Sequence, residues 1–164
     1  MDRAVLREKL HLSGIDSHAA ALARRHGLGF EVTAFCQAVM LEDADARAAA
    51  EAEAAGLEKL WLHAPFAELC PCAIDPLVRR ITAQRYRQTI AVARRMGIRR
   101  IVIHDGFVPF VYFPEWFVAQ SVDFWRGFLP QVQADMTIAL ENVMDDGPEM
   151  LAEIMAGGDD PRLG

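Results

Sequence analysis

What this chain has little of narrows it first. Lys9 and Lys59 are its only lysines, so the 17 basic side chains are nearly all arginine; they face 23 acidic ones, and the formal charge is −6. A protein that lives on nucleic acid through bulk electrostatics needs a basic face, and this balance disfavours one. Cys36, Cys70 and Cys72 are an odd set without framework spacing, which argues against a disulfide scaffold and makes a reducing cytoplasm the default. Cys70-Pro71-Cys72 is not a C-x-x-C pair and no second pair follows, so its spacing alone reads as loop chemistry without redox function. There is no run of about 18 apolar residues and no charged-then-apolar leader, so neither a membrane span nor a secretory signal is expected. No G-x-G-x-x-G or Walker sequence follows the first apolar run, which lowers the case for a nucleotide-binding doubly wound sheet.

What is present is enough for one domain. At 164 residues and 52% apolar content, the chain can fill a single core over residues 1–164. Leu10-His11-Leu12 reads as a short first strand, after an ambiguous stretch from Arg3. Ser17 to His26 reads as a helix punctuated by Gly27 and Gly29, and Phe30 to Phe35 as a second strand. Asp43 to Gly56, rich in Ala and Glu, predicts a helix leading into a third strand over Leu57 to His63. Ala64 to Asp75 has two prolines, two cysteines and no periodicity, so it is a long loop, and long loops in compact domains tend to be functional. Asp75-Pro76 caps a helix whose apolar side is predicted from Leu77, Val78, Ile81, Ile90, Val92, Ala93 and Met96, with its arginines on a solvated outer face. A fourth strand over Arg100 to His104, an aromatic loop, a helix from Glu115 to Phe128, a fifth strand over Met136 to Leu140 and a short helix from Pro148 to Ala156 complete the alternation.

Five βα-like units in sequence imply a parallel sheet with right-handed crossovers. The fold class is α/β, and a (β/α)8 TIM barrel cut short after about five units is favoured, since eight strands take about 250 residues. The sequence ends where the alternation demands another strand.

Three stretches share one plan. Leu60-Trp61-Leu62 runs into His63, Ile101-Val102-Ile103 into His104, and Ile138-Ala139-Leu140 into Glu141. Catalytic side chains of parallel barrels cluster at strand C-termini, so these three would hang around one mouth. Imidazole and carboxylate donors suit a divalent ion such as Zn²⁺, Mn²⁺, Fe²⁺ or Co²⁺. Each alone has a structural explanation; together, at corresponding places on successive strands, they define a polar catalytic mouth.

The ordered set H-A-P-F, I-V-I-H-D-G and L-E-N-V, with Arg24-Arg25-His26-Gly27-Leu28-Gly29-Phe30-Glu31 before it, resembles the xylose isomerase-like barrels, the sugar phosphate isomerase/epimerase group, with endonuclease IV as a relative. The resemblance runs from about Leu10 to Gly164. It implies that Glu141 is a ligand of a divalent metal, of Mn, Zn, Mg or Co type, and a possible base, with Asn142 beside it. It implies that His63 and His104 are ligands, as in the endonuclease IV branch, or line the substrate pocket, as in many sugar enzymes. The family's remaining ligands belong to strands six to eight.

The activity implied is isomerisation or epimerisation of a sugar or sugar phosphate through an enediolate-type proton transfer. Phe66, Glu68, Tyr112 and Trp116 would wall the sugar, and Glu31 is a second-rank candidate. A metal-dependent phosphodiesterase of endonuclease IV type uses the same three residues and is the rival enzyme. A third reading is a non-catalytic half-barrel binding module: five strands leave two open edges, through which copies could associate. The isolated chain is accordingly expected to be inactive, marginally stable or oligomeric.

Overall fold

The computed structural model describes residues 3–164. Within them helices and strands alternate: α1 (Arg3–Lys9), β1 (His11–Ser13), α2 (Ala19–His26), β2 (Gly29–Val32), α3 (Ala44–Ala54), β3 (Leu60–His63), α4 (Pro76–Arg95), β4 (Arg100–His104), α5 (Pro114–Phe128), β5 (Thr137–Glu141) and α6 (Glu149–Gly158). The helix starts follow from local chemistry. Asp43 accepts from the Asp45 and Ala46 amides at the head of α3, and Asp75 accepts from Leu77 N–H with Pro76 in the first turn of α4. Gly27 ends α2 at φ 63°, a left-handed conformation that glycine enters without a steric penalty.

All strand pairs are parallel and lie in the order β1-β2-β3-β4-β5. Strict sequential order is what single-handed crossovers produce when every connection returns on the same side, the winding of a barrel rather than of a doubly wound sheet. The molecule is therefore a partial (β/α) barrel. Arg162 O accepts from Ile138 N–H, and Gly164 O from Leu140 N–H, each at 2.7 Å, while Leu163 bridges Ile138 in parallel. The last residues thus lay down the first rung of a sixth strand beside β5, where the alternation called for one.

Strand side chains alternate between faces, and the register sorts them into two sets. Phe30, Val32, Leu62, Ile101, Ile103, Ile138 and Leu140 share the face that packs with helix residues Ala23, Tyr86, Trp125 and Ile154 into the core. The opposite face carries His11, Ser13, Glu31, Trp61, His63, Arg100, Val102, His104, Thr137, Ala139 and Glu141. One face is a hydrocarbon layer, and the other is mostly polar. Gly29 belongs to that second face and is not the helix punctuation its sequence position suggested: a Cβ there would lie 2.2 Å from the His11 ring.

Several boundaries differ from expectation. β2 stops at Val32 and β3 begins only at Leu60, and the two pair from Phe30–Leu60 to Val32–Leu62. In α4 the buried side is Thr82, Tyr86, Thr89, Ile90, Val92 and Ala93, whereas Leu77 and Ile81 are exposed. Tyr86 fills that side with an aromatic ring stacked on Trp125, and Thr89 returns its hydroxyl to Arg85 O, so threonine is tolerated in the core. Of the α4 arginines, Arg80, Arg87, Arg94 and Arg95 are exposed as expected, whereas Arg79 and Arg85 are partly buried, paired to Asp123 at 2.7 Å and to Glu42 at 2.6 Å.

The two faces should respond differently to truncation. Ile101→Ala removes a fully buried side chain and is expected to cost about 2–4 kcal/mol, against less than about 1 kcal/mol for its half-exposed neighbour in Val102→Ala. Urea unfolding of the two variants measures this; equal losses would show that the polar face is covered in solution.

Candidate functional site

The parallel ladder brings three chemically matched side chains to one point. His63 ends β3, His104 ends β4 and Glu141 ends β5, with His104 and Glu141 in direct register. Glu141 Oε2 lies 3.3 Å from His63 Nε2 and 3.2 Å from His104 Nε2. The ladder continues one step past the strands and fixes their ends: Ala64 N–H donates to Val102 O at 2.9 Å, and Asp105 N–H to Glu141 O at 3.0 Å.

His63 is held from behind. Its Nδ1–H donates to the Ala64 carbonyl at 2.7 Å and lies 3.7 Å from Cys36 Sγ, which leaves Nε2 aimed at Glu141. Burial works against a charge on this ring, but Cys36, the Ala64 carbonyl and the Glu31 carboxylate outweigh it and push the imidazole up to about 9. His104 moves the other way, lowered by burial and by the neighbouring His63. Phe66 stacks on the His104 ring at 4.3 Å with 20° between planes and meets His63 edge-on at 5.6 Å. One aromatic ring thus holds both imidazoles on their apolar side.

This donor set fits a divalent ion. Donors about 2.1 Å from one zinc at tetrahedral angles lie about 3.4 Å apart, close to the 3.3 and 3.2 Å that separate Glu141 Oε2 from the two imidazoles. All three ligand atoms fall within 4.8 Å of one another, and among the described residues no other such group of His, Cys, Asp or Glu occurs. A metal-ligating histidine usually gives its second nitrogen to a carbonyl or carboxylate, and the Nδ1–H of His63 already does so.

The other expected residues divide. Glu31 sits on the same sheet face, half-buried, its carboxyl raised by burial while His63 opposes the rise. A cavity of about 340 Å³ opens beside His104, lined by Phe66, Glu68, Leu69, Cys70, Asp105, Phe107, Tyr112 and Met144, among others. Phe66, Glu68 and Tyr112 are thereby brought together around one cavity. Trp116 stacks on Tyr112 at 5.3 Å but is not part of the cavity wall, and Asn142 is exposed.

Four features escaped the sequence reading: the Ala64 carbonyl, Cys36, Asp105 and Asp145. Asp105 follows His104 in the I-V-I-H-D-G stretch, which was a signal, but a backbone carbonyl leaves none. Asp105 is buried beside Asp145 and is raised to about 7, first by burial and then by that neighbour.

A parallel partial barrel with a histidine–histidine–glutamate group at its C-terminal mouth is a defined class of protein. A family model described as xylose isomerase-like TIM barrel matches residues 20–164, and the chain belongs to that family. It is 28% identical over 117 residues to the uncharacterized protein MJ1311 of Methanocaldococcus jannaschii, covering 65% of this chain and 39% of that protein. Among solved structures it is similar to the TTHB071 protein from Thermus thermophilus, soaked with ZnCl2, with TM-score 0.71, 23% identity, and 96% of this chain on 64% of that one. It is also similar to a D-tagatose 3-epimerase-like protein, with TM-score 0.72, 20% identity, and 94% of this chain on 62% of that one. The chain thus spans less than two thirds of each of the three.

Removal of a candidate ligand should be far costlier to metal affinity than removal of a neighbour. His104→Ala and Glu141→Ala are each expected to weaken Zn²⁺ binding about 100-fold or more, and Glu31→Gln less than about tenfold. Competition with a chromophoric chelator reads this directly; an equal loss in Glu31→Gln would make Glu31 a fourth ligand.

Proposed function

We propose that the protein is a divalent-metal-dependent sugar isomerase or epimerase, one incomplete barrel domain over residues 1–164. The observation that carries this reading is the convergence of His63, His104 and Glu141 on one point beside an aromatic-walled cavity. His63, His104 and Glu141 would hold the ion, which when bound supplies a Lewis acid for the negative charge of an enediolate.

The chain's own residues do the rest. The Ala64 carbonyl keeps His63 oriented, and Phe66 and Tyr112 offer ring faces to the C–H surface of a sugar. Glu31 and Glu141, both near His63, are proposed as the carboxylates that accept a proton from a carbon next to a carbonyl. Asn142 and Glu68 are proposed to bind sugar hydroxyls.

The mouth also bears on charge. The loops following the five strands, residues 14–18, 33–43, 64–75, 105–113 and 142–148, include Glu68, Asp105, Asp145 and Asp146 and contain neither lysine nor arginine. Such a rim repels phosphate, so a free sugar is favoured over a sugar phosphate and over a phosphodiester. The endonuclease IV-like phosphodiesterase would use the same three ligands, so the approach of both Nε2 atoms to Glu141 is common to the two readings.

The test is deuterium incorporation from solvent into the carbon next to the carbonyl of free and phosphorylated ketoses, with Mn²⁺, Co²⁺ or Zn²⁺ supplied. A protein extended to a closed barrel is expected to exchange free ketoses, with Glu141→Gln slowing exchange by about 100-fold or more. The 164-residue chain alone is expected to be inactive. Cleavage of an abasic DNA duplex without ketose exchange would replace this reading with the phosphodiesterase.

A further inference from the structure

The loop between β3 and α4 holds a pair of thiols that its spacing in the sequence undervalues. Cys70 Sγ and Cys72 Sγ are 3.3 Å apart, and Tyr112 Oη lies 3.5 Å from Cys70 Sγ. The two cysteines sit in one tight turn, closed by Ala73 N–H donating to Cys70 O at 3.2 Å, so their side chains emerge on the same side. The turn is pinned from both directions. Cys70 N–H donates to the buried Thr82 hydroxyl of α4, and Gly106, at φ 83°, lets the next loop approach so closely that a Cβ would meet Pro71 Cδ at 3.3 Å.

The two thiols differ in access. Cys70 is half-buried and lines the 340 Å³ cavity, whereas Cys72 is wholly buried behind it. An accessible thiol backed by a second one in contact is the arrangement of a reactive cysteine and its resolving partner. We propose that Cys70 and Cys72 form an oxidation site in the wall of the cavity, in which Cys70 reduces a small hydroperoxide and Cys72 resolves it as an intrachain disulfide.

The step balances. The Cys70 thiolate attacks the terminal peroxide oxygen, the O–O bond breaks, and the leaving hydroxide, or the alkoxide of an organic hydroperoxide, takes a proton to become water or an alcohol. Cys72 sulfur then attacks the Cys70 sulfenic acid, an S–S bond forms as the S–O bond breaks, and water leaves with the Cys72 proton. Two thiols lose two electrons in all, and the hydroperoxide gains them. Cys70 sulfur lies within hydrogen-bond reach of both the Cys72 thiol and the Tyr112 hydroxyl, and a Cys70 thiolate would accept from both. Cys70 is accordingly lowered to about 6, chiefly by Cys72, with burial opposing and Tyr112 adding to the effect, while Cys72 is raised. Asp105 and Tyr86 are the other titratable groups that face the pair.

The test is mass spectrometry of the 164-residue protein after one equivalent of hydrogen peroxide. Trypsin releases Leu60–Arg79 with both cysteines and no internal lysine or arginine, and Cys36 falls on a separate peptide. Leu60–Arg79 is expected to lose the mass of two hydrogens, reversibly with dithiothreitol, while Cys36 stays alkylatable. Cys72→Ser should halt at a Cys70 sulfenic acid captured by dimedone, and Cys70→Ser should leave Cys72 reduced. Before oxidation, Cys70 should alkylate at pH 7 about two- to threefold faster than an ordinary free thiol, the larger thiolate fraction being partly offset by the lower nucleophilicity of a less basic sulfur. Oxidation of Cys36 first, a disulfide between two chains, or full alkylation of both Cys70 and Cys72 after peroxide would each overturn the proposal.

Discussion

The alternation of side chains along parallel strands is the constraint on which this structure depends. Each strand end can deliver a residue to the mouth only because the residue before it points into the helix layer. Leu62, Ile103 and Leu140 anchor that layer, and His63, His104 and Glu141 follow them by one position on the other face. A one-residue slip of any strand would send a ligand into hydrocarbon and an aliphatic side chain into the site. The core and the candidate metal group are therefore fixed by the same backbone hydrogen bonds.

The polar face costs more than the apolar one and is organised to limit that cost. His11 fits where Gly29 leaves room and meets Trp61 edge-on at 5.6 Å, and the Arg100 guanidinium lies over the Trp61 ring at 5.7 Å. At the other end of the same face, two imidazoles and a carboxylate satisfy one another, with the Ala64 carbonyl and Phe66 closing the group. Between these ends, Glu31 keeps a raised carboxyl within reach of His63. Opposed charges are concentrated where strands end and loops can adjust.

The β3–α4 loop joins the two halves of the site's chemistry. Phe66 near its start packs on the His63 and His104 imidazoles, and Cys70 near its end lines the adjoining cavity with the buried Cys72 in contact behind it. Its length would be a liability without the ties to Thr82 and across Gly106, which replace the packing that a helix or strand would provide. The same tight turn that closes this loop sets the two sulfur atoms in contact.

The sequence by itself determined the alternation of strands and helices, the parallel sheet and the three strand-end residues. Those depend on local patterns: apolar runs of strand length, caps such as Asp43 and Asp75-Pro76, and a polar residue at the same place in each unit. Only the tertiary structure decided that Thr82 and Tyr86 face the core of α4 while Leu77 and Ile81 face water, because the neighbours of a helix, not its own hydropathy, choose its buried side. It also decided that Gly29 makes room for His11, that a backbone carbonyl orients His63, and that Trp116 stands behind Tyr112 rather than in the cavity. The distances among His63, His104 and Glu141, and between Cys70 and Cys72, belong to that second class. Contacts between residues far apart in the chain, and the turn that folds Cys72 back onto Cys70, are properties of the folded backbone and leave no spacing in the sequence to read.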